Sequence, residues 1–283
     1  MQDRRLLLGV AYRMLGSVAD AEDAVQEGYA RWYALSASDR EAIDSPIAWL
    51  VTVVSRICLD VLGSARRRRE RYVGEWLPEP VPASFAAGGD PAELAAHDEE
   101  VGYALLLVLE TMTPAERVVF VLHDAFGYPF ADIAAIVGRS AGACRQMASS
   151  ARRRVREGRR REVDPADHAR VVAAFQDAWR KGDPDSLLPL LDPAVAAVAD
   201  GGGRVTAPTA PVLGAADVAA LLVGVYTRVP DLTVEVADVN GRAGLVAKDG
   251  AGAVTAVIAV ATAGDRVRHL WVMRNPDKLT AWQ

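Results

Sequence analysis

Cysteine is nearly absent from this chain: only Cys58 and Cys144 occur in 283 residues. Both fall at apolar positions of predicted helices, which suits buried, reduced thiols in a cytoplasmic protein rather than a disulfide framework. Histidine is equally sparse. His97, His123, His168 and His269 are scattered and make no ligand-spaced group with the cysteines, so the sequence predicts no metal site and no cofactor. No apolar run reaches the ~18 residues of a membrane span, and the N-terminal MQDRRLLLGVAYRMLGS lacks a signal-peptide cleavage site, so no membrane partner is expected. Lysine and arginine are missing altogether from Tyr72 to Glu100, a segment that carries seven acids.

Positive charge is concentrated elsewhere. From Arg139 to Arg161 there are nine arginines and one acid, in a chain whose net charge is −5. The same stretch, FADIAAIVGRSAGACRQMASSARRRVREGRRR from Phe130, carries a helix-turn-helix pattern. Ala134 is its small residue, Gly138 its φ > 0 turn and Cys144 its buried apolar position. The second helix, Ala141 to Val155, projects Arg145, Gln146 and Ser149 outward, with Ser140 ahead of them and Arg152, Arg153, Arg154 and Arg156 behind. An ordinary solvated helix would not gather charge of one sign in an acidic chain, so this is read as a major-groove reader backed by phosphate contacts.

The first 70 residues predict a helical bundle. Ala21, Ala24, Val25, Gly28, Tyr29 and Trp32 make an apolar stripe, while Asp20, Asp23 and Glu27 line another face, suited to solvation or to a basic partner. Ser45 as N-cap and Pro46 at the first position open a second helix, expected to bury Ile47, Leu50, Val51, Val54, Cys58 and Val61. Its other side carries Trp49, Thr52, Arg56 and Asp60, and it exits through Arg66, Arg67, Arg68 and Arg69. An aromatic with a basic exit suits partly melted nucleic acid.

The acidic stretch, with Pro78, Pro80, Pro82 and Pro91 and the Gly88-Gly89 pair, reads as an extended linker passing into a helix near Pro91. Within it Trp76-Leu77-Pro78-Glu79-Pro80 has the make-up of a docking peptide, an aromatic and an aliphatic held by stiff prolines. The acidic chain is read as a flexible tether or, more specifically, as occupying a basic channel or lying against the arginine surfaces.

Past Arg161 the character changes. A helix from His168 to Lys181, a shorter helix through Leu191, a Gly-rich turn, a helix around Ala216 to Val225 and three strands (Leu232 to Val239, Val254 to Thr262, Val267 to Arg274) predict an α+β cone. Such a cone often encloses an apolar pocket. Asp177, Asp183, Tyr226 and His269 are available for acid–base work but form no recognisable catalytic set, so they are read as structural.

Three blocks together, DAEDAVQE (Asp20 to Glu27), PIAWLVTVVSRICLD (Pro46 to Asp60) and Leu109 to Arg156, resemble the extracytoplasmic-function sigma factors of bacterial RNA polymerase. The resemblance implies a non-enzymatic transcription initiation factor whose partners are core RNA polymerase and promoter DNA. By position, Asp20, Glu22, Asp23, Gln26 and Glu27 would dock the polymerase clamp. Trp49, Arg56 and Asp60, followed by the Arg66 to Arg69 run, would meet the minus-ten element, and the helix-turn-helix the minus-thirty-five element. Arg56 stands where many relatives carry Asn.

WLPEP is similar to the signature of one group in that family, whose members carry a SnoaL-like (NTF2-like) C-terminal domain and lack the usual anti-sigma partner. Asp200-Gly201-Gly202-Gly203-Arg204 and Asn275-Pro276-Asp277-Lys278-Leu279 resemble the group's remaining signatures, the first with Arg204 in place of lysine. Taken alone, each is explained by a turn or a strand end. Together they imply that WLPEP docks near them and regulates the chain in cis, with an unknown small-molecule ligand in the cone as a further partner and a monomeric state. The fold class expected is therefore two all-α domains plus a SnoaL-like α+β cone, divided as 1–71, 72–100, 101–161 and 165–283. Two other readings fit the residues: a one-component ligand-sensing regulator, and a SnoaL-like enzyme tethered to a DNA-binding module.

Overall fold

The computed structural model describes residues 2–69, 72–86, 102–159, 163–229 and 231–283. The expected linker helix near Pro91 lies outside them. The described residues gather into two compact units, the first within 1–70 and 105–157, the second within 71–86, 102–104 and 158–283.

The first unit is helical. Helix α1 (Gln2–Leu15) buries Leu7, Val10, Ala11 and Met14. Helix α2 (Val18–Ala34) starts where the Ser17 side chain accepts the Asp20 amide, 3.2 Å away, and buries Ala21, Ala24, Val25 and Gly28. Gly28 is required by contact: a Cβ there would stand 2.6 Å from Val54 Cγ2 of the next long helix. That helix, α4 (Pro46–Arg69), follows the short α3 (Ala37–Glu41) and opens with the Ala48 amide on Ser45 Oγ. Leu50, Val51, Val54, Ile57, Cys58 and Leu62 are its buried face, whereas Ile47 and Val61 are only half-buried. Burial pushes the Cys58 thiol up to about 12, so it stays protonated at neutral pH. Against the expectation from hydropathy, Pro46–Ser64 is long and apolar enough to cross a membrane by length and composition. Its buried face, from Leu50 to Leu62, belongs to the core of this bundle.

Helix α5 (Tyr103–Glu110) leads to α6 (Pro114–Phe120), whose start is a capping box between Thr113 and Glu116. One π-helical turn, Val121–Ala125, precedes α7 (Phe130–Val137) and α8 (Ala141–Arg159). The turn between α7 and α8 works because Gly138 has φ 65° and caps α7 in the left-handed region. Cys144 is fully buried beside it.

The second unit wraps a six-stranded sheet around α9 (Pro165–Lys181) and α10 (Ala215–Arg228). The strands are β1 (Leu191–Asp200), β2 (Val212–Leu213), β3 (Thr233–Val239), β4 (Arg242–Lys248), β5 (Val254–Ala263) and β6 (Arg266–Met273), in the order β2-β1-β6-β5-β4-β3. Neighbours are antiparallel except β1 and β6, which run parallel. Phe175, Trp179, Leu187, Leu222, Leu245, Ile258 and Leu270 form the core between helices and sheet.

A meander follows the helices as expected, but β1 and β2 stand between the two long helices, and three strands were not foreseen. The expected helix through Leu191 ends earlier, and β1 begins at Leu191 itself. Its alanine-rich sequence has weak local strand preference and is made a strand by pairing with β6, far along the chain. Strand β4 follows Asn240-Gly241, with φ 53° and 80°, a two-residue hairpin turn that sets Val239 opposite Arg242.

Candidate functional site

Two groups of residues carry the chemistry, one in each unit. In the helical unit, Asp23, Gln26 and Glu27 are exposed along α2, with Asp20 and Glu22 half-exposed on the same helix. Glu27 pairs with Arg31 at 2.9 Å. On α4, Arg56 and Asp60 are exposed, but Trp49 is not a free stacking platform. It is half-buried, and its ring meets Trp32 edge-on with centroids 5.3 Å apart. Arg66, Arg67, Arg68 and Arg69 end α4, and their side chains lie outside the described residues.

On α8, Arg145, Gln146, Ser149 and Arg153 are exposed. Ser140 caps the helix, its Oγ accepting the Ala143 amide. Arg152 is half-exposed and pairs with Asp124 at 3.2 Å, and Arg154 reaches Glu116 at 3.3 Å. Arg145, Gln146, Ser149 and Arg153 therefore stay open to solvent, while Arg152 and Arg154 brace the helix against the preceding ones. Arg117, which sequence reasoning missed, is 3% exposed, and its Nη1 bonds Glu110 at 2.7 Å and the Met14 carbonyl at 2.9 Å.

In the second unit the three signature strings meet. The Asp200 carboxylate, fully buried at the end of β1, accepts four hydrogen bonds. Oδ1 takes the Tyr72 hydroxyl (2.6 Å) and the Gly202 amide (2.9 Å); Oδ2 takes the Leu77 amide (3.0 Å) and Lys278 Nζ (2.8 Å). Lys278, 8% exposed, also donates to the Leu77 carbonyl at 2.7 Å. Its ammonium stands 4.2 Å from the Trp76 ring and 5.1 Å from that of Tyr72. One lysine thus holds the linker by charge, by hydrogen bond and by two aromatic faces.

The glycines have a steric reason beyond turning the chain. Gly202 has φ 61°, and a Cβ there would lie 2.4 Å from the Asn275 side-chain carbon; Gly203 has φ 68° and faces Val73. Asn275, buried, donates to the Tyr72 hydroxyl at 2.9 Å while its Oδ1 accepts the Asp277 amide. The Asp200 carbonyl receives the Arg274 and Asn275 amides. Burial first, then the hydrogen bond and charge of Asp200, push the Tyr72 hydroxyl well above its ordinary pKa. Arg204 and Asp277 make only a surface pair at 3.3 Å, and Pro276 is exposed.

The rest of WLPEP is held by groups the sequence did not single out. Pro78, Glu79 and Pro80 are buried. Tyr103 donates its hydroxyl to the Pro78 carbonyl at 2.7 Å, and Trp282 its indole N–H to that of Pro80 at 2.8 Å. Val81 exchanges hydrogen bonds with Asn240, and Pro82 bridges to Val239. Leu279, the last residue of the Asn275 to Leu279 string, is buried as well. A signal existed for one of these, since Trp282 is an aromatic near the chain end, and for Tyr72, which opens the basic-free segment.

The residues weighed for catalysis lie apart from one another in their contacts. Asp177 pairs with Arg180, Asp183 caps a helical turn through Ser186, and His269 stacks on Trp271 at 5.4 Å. Tyr226 packs edge-on against Trp179. Among the described residues no three His, Cys, Asp or Glu side chains are grouped to hold a metal ion.

Residues 1–70 match the family model Sigma-70 region 2, and residues 103–155 match Sigma-70, region 4. The chain is similar to the ECF RNA polymerase sigma factor SigJ of Mycobacterium tuberculosis, 42% identical over 98% of this chain and 91% of that protein. It is also similar to a probable ECF RNA polymerase sigma factor, SigI, of the same organism, 44% identical over 70% of this chain and 67% of that one. The crystal structure of Mycobacterium tuberculosis SigJ superposes with a TM-score of 0.75 at 36% identity, covering 99% of this chain and 96% of that one.

Proposed function

The chain belongs to the extracytoplasmic-function sigma factors of RNA polymerase, and we propose that within this family it is controlled in cis by its own C-terminal domain. It acts in the cytoplasm, without catalysis of its own. Asp20, Glu22, Asp23, Gln26 and Glu27 dock a basic surface of core polymerase, because they set a row of carboxylate and amide groups along one helix. Arg56 and Asp60, with the Arg66 to Arg69 exit, contact the minus-ten element. Arg145, Gln146 and Ser149 read the minus-thirty-five duplex, with Arg152 and Arg153 on phosphates.

The observation that carries the regulatory part is the Asp200–Lys278 pair closed over Trp76 and Leu77. When the linker leaves, this buried pair loses the Leu77 backbone, the Tyr72 hydroxyl and the Trp76 ring that complete it. Docked and released linkers are then two states that polymerase, or a ligand in the cone, can favour differently. The chain works as a monomer in this scheme. Run-off transcription with core polymerase, comparing the natural chain with Trp76→Ala, tests it. The expected result is an altered transcript yield from an unaltered start site; equal yields would refute cis control. Tight operator binding by the chain without polymerase would instead favour a one-component regulator.

A further inference from the structure

The two DNA-reading halves are joined inside the helical unit by arginines that each end on a helix C-terminus of the other half. The last carbonyls of a helix have no partner within it and carry partial negative charge, so a guanidinium is their natural cap. Arg117, on α6 of the helix-turn-helix half, donates to Met14 O in the last turn of α1 at 2.9 Å. Arg56, on the minus-ten helix α4, donates to Ala135 O in the last turn of α7 at 3.0 Å. The Gly138 and Arg139 amides both turn to Ala134 O, the carbonyl just before the one Arg56 takes. A third guanidinium follows the same line, Arg13 of α1 standing 5.0 Å over the Phe126 ring.

We propose that these contacts form a reciprocal arginine clasp that holds the two readers closed, and that Arg56 is its latch, free to meet DNA only after the clasp opens. The DNA half of that statement rests on the proposed promoter contacts; the clasp does not. Arg56 cannot cap Ala135 and contact a nucleotide with the same donors, so one guanidinium makes closure and promoter contact mutually exclusive. The closed form is also not over-stabilised. Arg117 Nε is buried without a hydrogen-bond partner, a standing cost that opening relieves, and the exposed Arg56 bond is screened by solvent.

The test uses the full chain without DNA or polymerase. Cysteines replacing the exposed Glu41 and Ala131 take a dye pair, while Cys58 and Cys144, both fully buried, stay unlabelled. Single-molecule energy transfer then reads the ratio of open to closed molecules. Arg56→Ala, at an exposed site that does not endanger folding, is expected to raise that ratio about three- to fivefold, the weight of one solvent-screened charged contact. Arg117→Met, which keeps the packing and removes the charge, should raise it at least as much. A ratio for Arg56→Ala within about twofold of the natural chain overturns the proposal, as does opening by Arg117→Met alone. Loss of promoter binding by Arg56→Ala with unchanged domain separation would leave the DNA reading standing and sink the clasp.

Discussion

Replacing Lys278 by methionine keeps the length of the side chain and removes the charge that the linker is built around. Breaking a buried ion pair from one side costs about 3–5 kcal/mol when the remaining charge is left alone. Here Asp200 keeps three donors, the Tyr72 hydroxyl and the Leu77 and Gly202 amides. They lower the cost to about 2–3 kcal/mol, since each neutral hydrogen bond retains part of the carboxylate's solvation. The cation–aromatic contact with Trp76 is lost as well. Because Lys278 also bonds the Leu77 carbonyl, this free energy falls on the docked linker and not only on the domain. Amide exchange at neutral pH over residues 72–82 of the full chain should then quicken by about 30- to 150-fold, if opening of the linker is the exchanging step. Arg204→Ala, which breaks only the surface pair with Asp277, should change it by less than about twofold. Unchanged protection in Lys278→Met, or equal loss in Arg204→Ala, would refute the reasoning.

Other predictions follow from single contacts. Gly28→Ala should destabilise the helical unit by about 1–3 kcal/mol in denaturant melts, because the new methyl would stand 2.6 Å from Val54 Cγ2. Burial works to raise the Glu116 carboxyl, but the Thr113 amide and hydroxyl and the Arg154 guanidinium outweigh it and hold it below its ordinary 4.5. Its contribution to stability is therefore full above that value and lost as pH falls through the depressed one, and Glu116→Gln should remove that part of the acid sensitivity of melting. Arg145→Ala should cost about 1–3 kcal/mol in binding to the cognate minus-thirty-five duplex and relax base preference at one position. Arg153→Ala should weaken all sequences alike and lower the salt slope by about one.

Much of the helical architecture was legible because its signals are local. Ser45-Pro46 marks the start of α4, and Gly138 the left-handed turn before the second helix, each by a requirement of one or two residues. The sheet was read less well. β1 owes its conformation to a partner some 70 residues on, which no local pattern reports. β4 was legible and overlooked, since Asn240-Gly241 between apolar runs is a hairpin signal.

The linker site shows the same division. Trp76, Asp200, Asn275 and Lys278 were singled out within strings, but their arrangement around one carboxylate depends on pairings far apart along the chain, such as the Tyr72 hydroxyl with Asp200 and Asn275, that no local pattern reports. Arg117 was hidden for a related reason: a single arginine in an apolar helix looks like a solvated charge until the carbonyl it caps is known. The clasp it shares with Arg56 gathers the two readers into one unit, which their separation along the chain gives no means to foresee.

The central claim is that this sigma factor couples promoter-specific initiation to the docking of its own linker. Its most direct measurement is in vitro transcription by core polymerase on a library of host genomic fragments, with the natural chain and with Lys278→Met. Discrete start sites that require the chain are expected, and the same sites in changed yield when the lysine is lost. No chain-dependent start sites, or equal yields from the two proteins, would contradict it.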